Sequence, residues 1–172
     1  MSEQGLVEQR AEGKRAQIKA SCLEKYLTFN LAQVVYALEI LSVKEIIGLM
    51  RITRIPRTPA YVRGIINLRG QVIPVVDLRV KFGIEPIEDT ESSCIIVVQL
   101  ADREKDITAG VLVDSVAEVL DMDGNCIEDT PTFGAGIETD FIQGIGKTGD
   151  RVVIILDIEK TIDFHELLDA VS

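Results

Sequence analysis

The side chains of this 172-residue chain that could do covalent chemistry are few and scattered. His165, its one histidine, stands beside Asp163 and Glu166 with no second imidazole or thiol at ligand spacing, and reads as a surface residue. Cys22, Cys94 and Cys126 form no C-x-x-C pair and no Cys-His couple, so they read as free thiols of a reducing compartment. No G-x-x-x-x-G-K-[ST] loop is present, and Gly134-Ala135-Gly136 lacks both the third glycine and the strand-to-helix setting of a dinucleotide loop. The many acidic residues lie in turns, where solvation accounts for them. No catalytic set, metal site or cofactor site is expected. The pattern points to a protein that binds other proteins.

The residue types that remain distinctive belong to one stretch, Tyr61 to Arg79. Two apolar, β-branched runs flank the polar tetrapeptide Asn67-Leu68-Arg69-Gly70, which predicts a β-hairpin. Gly70 stands where a tight turn needs a residue tolerant of positive φ, and Arg69 is lifted at the tip. A lone charge at a tip can simply keep the turn in water. The adjoining Asn67 and Leu68 argue for contact with a neighbour.

The same pattern returns from Phe141 to Ile158. Gly64 falls on Gly144, Ile65 on Ile145, Val72 on Val152 and Asp77 on Asp157, each 80 positions apart. A fixed offset marks internal duplication. Farther out the offset drifts: Leu27, Phe29 and Leu31 match Ile96, Val98 and Leu100 at 69, and Leu38, Ile40, Ser42, Val43 and Glu45 match Val111, Val113, Ser115, Val116 and Glu118 at 73. Insertions therefore fell in loops. Shared residues report the fold, and unshared ones, chiefly Asn67, Leu68 and Arg69, are where function is expected.

Each half supplies about five short strands separated by frequent turns, which fits a small barrel. The expected architecture is mostly β: two similar five-stranded barrels side by side, a groove where they meet, and a short C-terminal helix. The expected segments are a flexible tail at 1–24, barrels at 25–86 and 87–160, and the helix at 161–172, with exchange of strands between barrels left open. Arg51 to Pro56 is a further strand candidate, and Pro74 argues for an edge strand or a bulge. The net charge of −10 makes nucleic acid and anionic lipid poor partners. No apolar run approaches the roughly 18 residues of a membrane span, so a cytoplasmic protein is expected.

Gly64-Ile65-Ile66-Asn67-Leu68-Arg69-Gly70-Gln71-Val72-Ile73-Pro74-Val75-Val76-Asp77-Leu78-Arg79 is similar, at every fixed place, to the GxxNLRGxxxPxxDLR signature of the CheW family of bacterial chemotaxis coupling proteins. Tyr26-Leu27-Thr28-Phe29, Ile40 to Ile46, Ala109 to Val116 and Gly144-Ile145-Gly146 extend the resemblance over about 25–160. The kinase CheA and the protein CheV carry related domains. This chain is too short for a kinase or receiver domain, which favours a stand-alone coupling protein. The resemblance implies SH3-like barrels, no enzymatic activity and no cofactor. It implies an adaptor between the cytoplasmic tips of methyl-accepting chemoreceptors and the regulatory domain of the histidine kinase CheA, recruited to membrane-associated arrays without touching the membrane itself. A chemotaxis-like pathway for motility or development is the alternative setting. Carried over by motif, Val43, Glu45, Asn67, Leu68 and Arg69 form the kinase- and receptor-binding region, with Glu45 and Arg69 as a salt-bridged pair positioning the tip. A ring contact with the kinase maps to Thr132 and Phe133. Glu128 departs from the arginine of some relatives, which leaves a charge-reversed pairing or a weaker ring contact.

Overall fold

The computed structural model describes residues 23–85, 88–101, 106–130, 140–162 and 167. The chain is mostly β. Its strands are β1 (Glu24–Leu31), β2 (Val34–Glu39), β3 (Val43–Gly48), β4 (Val62–Leu68), β5 (Gln71–Asp77), β6 (Cys94–Ala101), β7 (Asp106–Val113), β8 (Ser115–Met122), β9 (Ile127–Glu128), β10 (Ile142–Thr148) and β11 (Arg151–Leu156). One-turn helices α1 (Leu78–Lys81) and α2 (Ile158–Thr161) follow β5 and β11. Their caps are the matched aspartates: Asp77 accepts from the Arg79 N–H, and Asp157 accepts from the N–H groups of Glu159 and Lys160.

Two sheets form, in the orders β8-β1-β2-β11-β10-β9 and β3-β6-β7-β5-β4. The duplication maps the five strands of the second sheet onto five of the first. β1 and β2 correspond to β6 and β7, β8 to β3, and β10 and β11 to β4 and β5. In each sheet a parallel pair joins hairpins from different repeats: β11 beside β2, and β5 beside β7. The first hairpin of each repeat has therefore crossed into the sheet built by the rest of the other repeat. Segment 25–86 gives β1 and β2 to one sheet and β3, β4 and β5 to the other.

Alternation along the strands sorts side chains into three cores. Ile95 and Val97 of β6 point into a cluster with Ile66, Ile73, Val75 and Leu112, the interior of the first barrel. Tyr26, Ala37, Met122, Val153 and Ile155 fill the second. Ile96, Val98 and Leu100, on the opposite face of β6, join Leu27, Phe29, Leu31, Leu38, Val111 and Leu156 in the largest cluster, which packs the space between the sheets. Tyr36, Phe82 and Phe141 extend this cluster as a stack, with centroids 5.6 and 4.8 Å apart.

Three local expectations change. Arg51 to Pro56 forms no strand; only Thr53 bridges Ile65, through two hydrogen bonds of 2.8 Å. Pro56, Pro59 and the positive φ of Arg57 (+64°) prevent extension beyond it. The matching place in the other sheet holds β9, so that sheet has six strands where five were expected. Pro74 lies on neither edge, since β5 sits between β7 and β4. Its partner Ile65 commits both backbone groups to Thr53, so the Ile65–Pro74 pair exchanges no hydrogen bond. On the other side the parallel register begins only at Val75. The bulge lies on the facing strand, between Val62 and Gly64. Of the helix expected at 161–172, Thr161 ends α2 and Leu167 is helical and buried; residues 163–166 and 168–172 lie outside the described residues, as does the tail 1–22.

Candidate functional site

The β4–β5 turn carries Arg69 at φ +54° and Gly70 at φ +87°. Two successive positive values define the type I′ turn, whose twist suits a two-residue hairpin. Glycine adopts this backbone freely, whereas a side chain such as Arg69 pays for it in strain. Asn67 steadies the turn: its Oδ1 accepts from the Gly70 N–H at 2.9 Å.

From this position the Arg69 guanidinium reaches Glu45 on β3 and donates two parallel hydrogen bonds of 2.8 Å, Nη1 to Oε1 and Nη2 to Oε2. These bonds hold the Glu45 carboxyl below the usual carboxylate range. β3 and β4 are opposite edges of one sheet. The pair therefore spans the seam along which the first barrel closes. Beneath it, Ile47 of β3 and Leu68 of β4 pack onto the barrel's inner cluster.

Of the residues expected at the contact region, Arg69 and Asn67 are exposed, and Glu45 and Leu68 are half-buried. Val43 packs against the cluster between the sheets. Exposed apolar side chains occur nearby on the same elements: Ile46 at 43% and Val72 at 57%. Leu41, in the single 3-10 turn joining β2 to β3, is 94% exposed. Thr132, Phe133, Cys22 and His165 lie outside the described residues. Glu128 is exposed and paired with Lys147 at 2.6 Å, across β9 and β10.

A second polar constellation was not singled out from the sequence. Arg79 is 1% exposed. Its Nε and Nη2 donate to Asp77 at 3.2 and 3.4 Å, Nη2 also donates to Asp89 at 3.3 Å, and Nη1 lies 3.3 Å from Asp114. Arg63 adds a second guanidinium against Asp77 and Asp89. Burial alone would lower the Arg79 pKa, but the carboxylates of Asp77, Asp114 and Asp89 outweigh it and hold the pKa above its ordinary value. Asp114 also accepts from the Ala32 N–H at 2.8 Å, so the network ties the β1–β2 turn to α1. The available signal was an unshared pair: Arg79 and Arg63 face Glu159 and Gln143 at the 80-residue offset.

The fold and site define a duplicated β-barrel scaffold with one charged, preorganised hairpin tip. Residues 25–166 match the family model described as "CheW-like domain". The chain is 35% identical over 144 residues to the chemotaxis protein CheW of Klebsiella aerogenes, covering 84% of each. It is 33% identical to the chemotaxis protein CheW of Bacillus subtilis, covering 91% of this chain and 96% of that one. Its fold superposes on the crystal structure of the scaffolding protein TtCheW from Thermoanaerobacter tengcongensis with a TM-score of 0.73 at 40% identity, over 82% of this chain and 88% of that chain. The chain belongs to the CheW family, the coupling adaptors of bacterial chemotaxis.

Proposed function

We propose that this chain is a non-enzymatic adaptor that joins the cytoplasmic tips of methyl-accepting chemoreceptors to the regulatory domain of the histidine kinase CheA. One observation carries the reading most directly: Arg69 is held in a strained backbone and locked to Glu45 across the barrel seam, and the second barrel has no such pair among the described residues. Strain retained at an exposed tip, with no need for it in the twin hairpin, marks a contact surface. Val43, Asn67 and Leu68 complete that surface, with exposed Ile46 and Val72 beside it. Apolar burial supplies affinity at ~25 cal/mol per Å² before the costs of association. The charged pair sets register and encounter rate. Receptor state reaches the kinase as a coupling free energy of about 1–3 kcal/mol through altered packing. Thr132 and Phe133 supply the ring contact with the kinase, and recruitment to receptor arrays follows from these contacts.

The test is co-purification of the full chain with a CheA regulatory domain and a receptor-tip fragment. Arg69→Glu is expected to lose partner capture while keeping its circular dichroism spectrum and melting temperature. Glu45→Arg combined with Arg69→Glu restores part of the capture, and the double-mutant cycle shows coupling. Unchanged capture by Arg69→Glu overturns the reading.

A further inference from the structure

We infer that the cavity beside the start of β4 is a docking site for an acidic segment of a partner protein, held by the guanidinium groups of Arg54 and Arg57. The chain sorts its charge into blocks. Between Glu45 and Asp77 it holds five arginines and no acidic residue. Between Lys105 and Lys147 it holds nine acidic residues and no basic one. A chain of net charge −10 therefore presents one strongly positive stretch, which draws in carboxylates. The fold does not demand this charge, because at the 80-residue offset Arg63 falls on Gln143 and Ala60 on Asp140.

Folding gathers part of the positive stretch around a cavity of about 550 Å³, whose lining includes Arg54, Arg57 and Arg63 with the half-buried Ile52, Ile55 and Val80. Arg63 shows what such a site accepts: it pairs with the carboxylates of Asp77 and Asp89, the second brought in by the loop after α1. Arg54 and Arg57 are exposed and form no ion pair among the described residues. The backbone holds Arg57 at the cavity against its own preference. Pro56 and Arg57 are the central residues of a turn in which Thr58 Oγ1 donates to the Ile55 carbonyl oxygen at 2.9 Å, and Arg57 sits at φ +64°. The place after proline in such a turn favours glycine. Arg57 and Arg69 are thus both arginines in backbone suited to glycine, at opposite ends of β4. The ligand class follows from the lining. Each unpaired guanidinium forks onto one carboxylate. The isoleucines and Val80 suit an aliphatic side chain between two acids, which a peptide brings and a free phosphate does not. The site lies away from the Arg69 tip and does not rest on the kinase and receptor reading.

The test titrates the full ¹⁵N-labelled chain with the peptide acetyl-Glu-Leu-Glu-Leu-Glu amide, its neutral counterpart acetyl-Gln-Leu-Gln-Leu-Gln amide, and inorganic phosphate. The acidic peptide is expected to shift the amides of Arg54, Arg57, Thr58 and Arg63, and the other two probes to leave them in place. Arg54→Gln weakens the response about two- to fivefold. Arg57→Gly weakens it as much without lowering the melting temperature, since glycine adopts this φ freely. The double variant abolishes the response, and Arg69→Glu leaves it unchanged. An equal response to the glutamine peptide, shifts confined to other surfaces, a response unchanged in both single variants, or its loss in Arg69→Glu overturns the assignment. Phosphate that shifts the same amides at a lower concentration than the peptide gives the cavity to phosphate and also overturns it. Shifts of these amides on concentrating the chain alone give the place to a second copy and overturn it likewise.

Discussion

At the tip of β4–β5 the backbone turns through Arg69 and Gly70, both at positive φ; at the tip of β10–β11 it turns through Gly149 alone, at φ +61°. The second hairpin thus achieves its reversal with one glycine, in the pattern of a type II′ turn. The seams differ in the same way. Glu45 and Arg69 close the first barrel with a bidentate ion pair. In the second, Glu118 replaces Glu45 but is exposed and forms no side-chain pair among the described residues. There the closing contacts are apolar: Leu120 and Ile127 pack on the inner cluster, whose Met122 lies against Gly146. One ancestral plan therefore accepts two closures. The apolar one suffices for folding, so the charged one needs another reason to exist.

Perturbing matched positions sharpens this contrast. The largest effect is expected at the buried network. Arg79→Ala strips Asp114 of its cation, leaves Asp77 with Arg63 alone, and costs about 3–5 kcal/mol in urea unfolding. Glu159→Ala, its exposed counterpart, stays within about 0.5 kcal/mol of the parent. Equal losses would show that the two barrels do not divide their polar chemistry as described. Next come the bulge glycines. A Cβ at Gly64, where φ is +148°, meets the Thr53 carbonyl oxygen at 2.2 Å, so Gly64→Ala loses about 2–3 kcal/mol. At Gly144 the nearest atom is the Ile127 side chain at 2.8 Å, which can shift, and Gly144→Ala loses about 1 kcal/mol.

The smallest effect concerns pH. The hydrogen bonds from Arg69 lower the Glu45 pKa from its ordinary 4.5. For a depressed carboxylate the stabilising contribution is full above the unfolded value and disappears as pH falls through the folded one. The seam pair therefore persists through pH 4.5 and opens only below it. A carboxyl NMR titration of Glu45 checks this, and Arg69→Gln should move the midpoint back up. A Glu45 midpoint insensitive to that substitution would break the comparison at its most exposed point.

Much of the fold was legible because duplication doubles every signal. Matched glycines, matched aspartates and alternation in β1, β2, β6 and β7 all speak for two copies of one β unit. The hairpin tip was legible because its residues are the ones the copies do not share. Arg51 to Pro56 misled because its alternation satisfies the strand pattern, while the irregular backbone at Arg57 is a tertiary outcome. Pro74 misled because the edge rule assumes a hydrogen bond is owed at every position, and here the partner's bonds were already spent on Thr53. The Arg79 network stayed hidden because its carboxylates come from α1's cap, the loop after it and the β7–β8 junction, and only folding brings them together.

The crossing of hairpins between sheets bears on how the molecule carries force. The five-stranded barrel is one continuous length, β3 to β7, but both its ends run into the six-stranded barrel. That barrel is assembled from β1–β2 and β8–β11 on either side of it, so a tug on one is passed to the other. Whatever grips the Arg69 end holds strands whose covalent neighbours are woven into the far side. A bead threaded this way passes a mechanical load along its whole body.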